Sequence, residues 1–311
     1  MPDSAVHQVA LVEEPVAAGR RMPREQDPGG PGEPLTWHGL RLETMACMLV
    51  VTLRRLGDRF FEAQCQWPRL HPLNERATTV SHHPLIVVES TRQLAMAVQS
   101  RHLRPGQDPP LEAVSVNLGL YPGAQPVESG SATRVSTRVM LSDLVLRRGA
   151  LASFRLTAEY LYAGHRFATC AIGCAAAAPA ATGALPVAPG SALLHPAAAA
   201  VGAVSDPDVL LARGPQGRLM IVPRDPAHPV LLPGRPADLP ALAVLEAGRQ
   251  AVLLSSGMTG RAVAGLCVDL RTSVPVQGAA VDVTADHSGA RFVVTAAGRV
   301  AATGAVTLPR S

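Results

Sequence analysis

Two stretches of this chain are apolar around most of a helical circumference. One runs from Pro84 to His102, with Leu85, Ile86, Val87, Val88, Leu94, Ala95, Met96, Ala97 and Val98 leaving little polar face. Pro84 suits a first helical position, and Pro105-Gly106 ends the run. The other spans about 241–256 and stops at Gly257. A helix without a polar face is predicted to be buried on all sides. Around these helices come short apolar runs, at 45–53 and 60–67, and stretches in which the period falls to two. Strands are predicted at 45–53, 60–67, 111–120, 131–146 and 151–174, then near 218–222, 262–270, 279–285, 290–296 and 299–308. Within 151–174, Phe154, Leu156, Ala158, Tyr160 and Tyr162 alternate with mostly polar residues, Ala163-Gly164-His165 turns, and Phe167, Thr169 and Ala171 resume the alternation. That is a hairpin by period and by turn.

The helices carry the same polar motif. VVESTRQLA at 87–95 and VLEAGRQAV at 244–252 share E-x-x-R-Q, with Glu89, Arg92 and Gln93 matching Glu246, Arg249 and Gln250 at an offset of 157 (246 − 89). His71-Pro72 maps onto His228-Pro229 in the same register. AGHRFATCA at 163–171 echoes AGRVAATGA at 297–305 with an offset of 134. Two copies with so long a period indicate a duplicated domain, not a solenoid. The expected organisation is a first domain over 1–174, an Ala/Pro-rich linker over 175–200 and a second domain over 201–311. One buried helix followed by several antiparallel strands, twice, is the order of a double hotdog, an α+β fold in which each sheet curls round its helix. Another α+β sandwich, with helices on one face, is the alternative.

Composition narrows the function classes. The 311 residues suit two domains of ordinary size. The net charge is +4, and all 28 basic residues are arginine, scattered among 24 acids with no basic stripe. A nucleic-acid partner is therefore not expected. Five cysteines (Cys47, Cys65, Cys170, Cys174 and Cys267) show no C-x-x-C pair and read as reduced, buried thiols. The apolar stretch 167–204 is broken by Pro179, Pro186, Pro189 and Pro196, which argues against a spanning helix. MPDSAVHQ lacks the pattern of a signal peptide, so a soluble, cytoplasmic protein is expected, with no membrane partner.

AQCQWPRLHPL at 63–73 and SHHPLIVVESTRQ at 81–93 resemble the A-factor biosynthesis hotdog family, the γ-butyrolactone synthases of actinomycetes, with its Q-W-P-R-x-H and H-D-P-L-x-x-x-E-x-x-R-Q. The chain departs at His83, where that family has Asp. VHQVALVEEPV at 6–16 is similar to the family's opening strand, and LPALAVLEAGRQA at 239–251 to its second helix, with Asp238 in place of His and Ala241 in place of Gly. The hydroxyacyl-carrier dehydratases, also hotdogs, likewise place His-Pro before a helix bearing Glu. The resemblance implies an acyltransferase that moves a β-ketoacyl group from an acyl carrier protein thioester to the hydroxyl of dihydroxyacetone phosphate. It implies no cofactor and a monomer that contains its own pseudo-dimer.

Such a reaction needs a base, an oxyanion site, a cation for phosphate and an acyl tunnel. His71 and Glu89, with His228 and Glu246 in the second copy, are the candidate catalytic residues. By resemblance to the dehydratases, His71 is expected against Glu246, and His228 against Glu89; pairing within one half is the alternative. Arg69 and Arg92 are candidates for phosphate, and the helix start near Pro84–Ile86 for the oxyanion. Gln93 lies one turn from Glu89, and Trp67, His82, Arg249 and Gln250 complete the expected substrate-binding set. The plainer readings are a turn-capping role for His before Pro and a structural ion pair for Glu89 with Arg92. His82-His83 has no carboxylate or Cys at ligand spacing, so no metal is expected. A hotdog dehydratase or thioesterase, or a non-catalytic acyl-binding regulator, remain as alternatives.

Overall fold

A computed structural model describes residues 32–74, 80–103, 110–128, 130, 132–177, 193–214, 217–257, 263–286 and 289–308. The expected opening strand at 6–16, the helix stop at Pro105-Gly106 and most of the 175–200 linker lie outside them. Both E-x-x-R-Q motifs are helical, in α1 (Leu85–Val98) and α2 (Ala241–Ser256). A single π-turn (Gln99–Leu103) extends α1 to the length its pattern predicts.

The first half contributes β1 (Glu33–Pro34), β2 (Val50–Arg55), β3 (Phe60–Pro68), β4 (Val80–Ser81), β5 (Glu112–Leu120), β6 (Val127–Glu128), β7 (Ala132–Arg147), β8 (Ala150–Tyr162) and β9 (His165–Ala175). The second contributes β10 (Leu211–Arg213), β11 (Leu219–Ile221), β12 (Gly265–Leu270), β13 (Ala279–Asp286), β14 (Gly289–Ala296) and β15 (Arg299–Thr307). Apart from the short β4–β6 pair, they form one antiparallel sheet in the order β1-β2-β3-β7-β8-β9-β5-β12-β15-β14-β13-β11-β10. Outward from the central β5–β12 pair, the order β9-β8-β7-β3-β2 on one side mirrors β15-β14-β13-β11-β10 on the other. The seam pairs Leu118 with Leu266 and Asn117 with Cys267. This pseudo-twofold arrangement, in which each half of the sheet curls on its own buried helix, is a double hotdog.

The later offset of 134 has a local cause. Tyr162 pairs with His165 and Ala296 with Arg299 across two-residue turns. Their central residues, Ala163-Gly164 and Ala297-Gly298, all have positive φ (48°, 81°, 50° and 73°). Mirror-type turns of this kind match the strand twist, and glycine enters them without steric cost.

One expected strand is wrong in part. Residues 45–47 form a 3-10 turn, and β2 starts only at Val50. The reason lies in α1: the Gln93 side chain accepts from the backbone N–H groups of Leu49 (2.9 Å) and Val50 (3.3 Å) and donates to the Cys47 carbonyl (2.8 Å). The stretch pairs with a helix side chain where a strand pattern suggests a neighbouring strand.

The two cores are packed by exchanged volumes. A side chain at Gly248 of α2 would collide with the ring of Phe292, and one at Gly304 would strike the same ring. In the first half, at offsets of 157 and 134, Thr91, Ala158 and Cys170 stand in these three places. There Thr91 fills the space and hydrogen-bonds Tyr160 (2.7 Å). Gly248→Ala is expected to destabilise the fold by about 1–3 kcal/mol despite the better helix propensity of alanine. Phe292→Ala should cost about 3–5 kcal/mol. The double variant should cost less than the sum in urea unfolding, because each change relieves the other; strict additivity would contradict this packing.

Candidate active site

Each E-x-x-R-Q motif builds the same cluster. Glu89 takes both Nε and Nη2 of Arg92 (2.7 Å each) and the amide of Gln93 (2.9 Å). Glu246 takes Nε (2.8 Å) and Nη2 (2.7 Å) of Arg249 and the amide of Gln250 (2.9 Å). Gln250 also accepts from Leu210 N–H (2.9 Å) and donates to the Asp208 carbonyl (2.7 Å), as Gln93 does with Leu49 and Cys47. Burial pushes the Glu246 carboxyl up, but the charge and hydrogen bonds of Arg249 outweigh it and hold the group below its usual range. These are the structural ion pairs that buried charges require.

The histidines follow a second rule. In His71-Pro72-Leu73, His83-Pro84-Leu85 and His228-Pro229-Val230, the His Nδ1 accepts the N–H two residues on (3.3, 3.3 and 3.2 Å). Proline has no N–H to compete. Each ring therefore carries its proton on Nε2 and presents a donor. His228 donates to Asp208 (2.9 Å), while His83 Nε2 lies 4.0 Å from Glu246 across the two halves. His71 Nε2 faces the Cys47 carbonyl without reaching hydrogen-bond geometry. The expected His71–Glu246 and His228–Glu89 pairs thus do not form. His71 and His228 are held against 3-10 turns of their own halves (Met45–Cys47 and Asp206–Asp208), and the cross-half contact belongs to His83, which sits at the start of α1. His82 bridges Asn74 (2.9 Å) and Thr133 (2.7 Å), and Asn74 in turn accepts from His83 N–H.

Those turns reveal a repeat missed in the sequence. T-x-x-C-x-L at 44–49 corresponds to S-x-x-D-x-L at 205–210, an offset of 161 (205 − 44). Thr44 contacts Cys47 (3.4 Å) as Ser205 contacts Asp208 (2.8 Å). Cys47 therefore occupies the position of the His228 partner, and the change of acid for thiol hid the match.

The halves differ in what lies beside the clusters. Arg249 is fully buried, with Nη2 also on the Gly202 carbonyl (2.9 Å). Its counterpart Arg92 is half-buried on the wall of a cavity of about 420 Å³ between the halves. Val88, Ala95 and Met96 of α1, with Val114 and Ile172 from the sheet, make that wall apolar. The opposite side is the first turn of α2 (Ala241, Leu242), preceded by Asp238 and Leu239. Leu239 N–H donates to Val274 O and Val276 N–H to Ala237 O, so this lead-in segment is pinned like a strand. Cys174, also on the wall, is pushed up to about 12 by burial and stays a thiol, not a nucleophile. Of the remaining expected residues, Trp67 is core, edge-on to His82 and Phe167 and tilted against Tyr160, and Arg69 is half-buried beyond β3 and does not line the cavity.

No family model matches the chain, and no curated protein does. Among solved structures it is similar to the dehydratase domain from the terminal module of the rifamycin polyketide synthase (14% identity, TM-score 0.49, covering 88% of this chain and 100% of that one). The bifunctional dehydratase-cyclase domain of ambruticin biosynthesis aligns at 19% identity and TM-score 0.46 over 85% and 96%. A Novosphingobium aromaticivorans protein described as a thioesterase aligns at 14% and 0.47 over 83% and 98%. The double-hotdog assignment rests on the strand order and the two buried helices of this chain, not on these likenesses. Among the described residues no helix is long and apolar enough to cross a membrane.

Two outcomes follow from the histidine cluster. Burial, then the neighbouring histidines, lowers His71 to about 3; burial, then Arg249, lowers His83 to about 4. Both are far below the unfolded value of about 6.5. The unfolded chain then binds more protons below pH 6.5, so stability should be intact above that pH and fall steadily from pH 6.5 towards 4 and 3. Urea midpoints across that range should show the slope, and His71→Gln should reduce it. Cys47→Asp should give His71 the partner that His228 has and raise its pKa, read from imidazole NMR titration; an unmoved pKa would mean the two turns are not equivalent.

Proposed function

We propose that the protein binds the acyl group of a thioester in the cavity between its halves and hydrolyses it. The observation that carries this reading is the cavity itself: apolar walls for a chain, closed on one side by the start of a 16-residue buried helix. The free N–H groups and positive end of α2 suit a thioester carbonyl and the oxyanion formed from it. Asp238, three residues before α2 and on the same wall, is the candidate general base. It takes a proton from water as the water oxygen attacks the carbonyl carbon. The tetrahedral oxyanion rests on the α2 N–H groups, the C–S bond breaks as the carbonyl re-forms, and the departing thiolate takes the proton that Asp238 removed from water, which leaves free acid, free thiol and the Asp238 carboxylate.

Dehydration is less well supported, because among the described residues no histidine lines the cavity and the histidine Nε2 atoms are donors. Acyl transfer to dihydroxyacetone phosphate, the finer reading of the family resemblance, needs a cation for phosphate. Arg92 is already neutralised by Glu89, and Arg69 is not on the cavity wall. The acyl donor fits a carrier-protein thioester, which the resemblance also implies.

Medium-chain acyl thioesters of N-acetylcysteamine should release free thiol at a rate that Asp238→Asn lowers by about 100-fold or more, with folding unchanged. Mass spectrometry of the products with dihydroxyacetone phosphate present should show free acid. A phosphorylated ester as the main product would replace hydrolysis by acyl transfer, and an enoyl thioester from a β-hydroxyacyl substrate would replace it by dehydration.

A further inference from the structure

The outer end of the first-half sheet carries an apolar patch that the fold does not use. Phe60 on β3 pairs with Met140 on β7, and both are exposed, as are Leu56 beside them and Val145 and Leu146 further along β7. Leu146, at the tip of the β7–β8 hairpin, is 67% exposed. Arginines surround the patch. Arg54, Arg55 and Arg155 are paired with Glu62, Asp58 and Asp143. Exposed Arg59, Arg147 and Arg148 have no carboxylate within ion-pair distance among the described residues.

The sheet register ties this patch to the cavity. Glu112 on the cavity wall pairs with Ala175, Ala175 with Ser153, and Ser153 with Val145. These four residues form one row across β5, β9, β8 and β7. Three strand spacings separate the cavity wall from the patch, about 14 Å. A protein seated on Arg147, Arg148 and Leu146 is therefore within reach of the cavity through a flexible arm.

We propose that this surface docks an acidic carrier protein that presents its acyl group on a thiol-terminated arm to the cavity. The proposal rests on the acyl-thioester reading above and adds where the donor sits. Charge selects the occupant. Unpaired guanidinium groups around an apolar centre complement a carboxylate-rich partner. A second copy meeting the same patch about a twofold axis would set those three arginines against themselves.

The test uses the full chain with Arg147→Glu and Arg148→Glu together, both exposed at a hairpin tip. The probe is an acyl carrier protein whose decanoyl group is attached through a non-cleavable amide, titrated calorimetrically. The charge reversal should weaken binding by at least about 10-fold, and added salt should weaken wild-type binding in the same direction. Hydrolysis of decanoyl-N-acetylcysteamine, which needs no docking, should be unchanged in the variant. Equal carrier affinity in the two proteins, or no carrier binding by the wild type, would overturn the proposal. So would a wild-type dimer in sedimentation that Leu146→Ser dissolves, since the patch would then belong to a second copy. Carrier binding that obeys the charge reversal, together with no hydrolysis of the small thioester, would leave the docking surface standing and remove the hydrolytic reading.

Discussion

A helix buried on every side has no amphipathic stripe to set its rotation or its height against the sheet. In both halves of this protein the glutamine of E-x-x-R-Q supplies that constraint. Gln93 and Gln250 each hold a backbone carbonyl and a backbone N–H of the segment leading into the sheet edge, and each also holds the glutamate of its own helix. The glutamate in turn needs its arginine, because an unpaired buried carboxylate is costly to desolvate. The helix, the 3-10 turn and the first long strands are thereby locked to one another. The histidine that packs on each turn, His71 or His228, inherits its position from the same lock.

The duplication then allowed the halves to diverge around an unchanged frame. In the second half the Asp208–His228 pair is complete, Arg249 is sealed under the Gly202 carbonyl and the first thirteen residues of α2 are buried. In the first half Cys47 replaces the acid, Arg92 and Met96 remain half-buried, and the cavity lies against them. The cross-half histidine contact exists on one side only, because His83 corresponds to Pro240 at the shared offset of 157. Of the two cross-half sites, one thus keeps a histidine, His83, beside Glu246, and the other, where Pro240 takes that place, holds the cavity. The cavity is lined from both halves, so neither builds it alone.

Much of this was legible in the chain. Hydrophobic period alone marked both helices, the β8–β9 and β14–β15 hairpins and most of the sheet, because buried helices and half-buried strands impose their periods locally. The offsets of 157 and 134 disclosed the duplication, and the α+β double hotdog follows from the order of elements. Gln93 within reach of Glu89 was also readable, since residues four apart share a helix face. The stretch 45–53 misled because it is a short apolar run, as a buried strand is, while the N–H groups of Leu49 and Val50 go to the Gln93 side chain instead of a neighbouring strand.

What the sequence determined by itself was local: which segments are helix or strand, and that the unit occurs twice. Which carboxylate each histidine faces was decided only by tertiary structure. His71 and His83 both precede proline, and no spacing rule says that one turns back to its own half while the other reaches across to Glu246. The cavity was equally out of reach, because its walls come from α1, the sheet and the lead-in to α2, segments some 150 residues apart whose meeting depends on the β5–β12 seam. A periodic pattern reports what one element buries; the space left between elements is a property of how they pack.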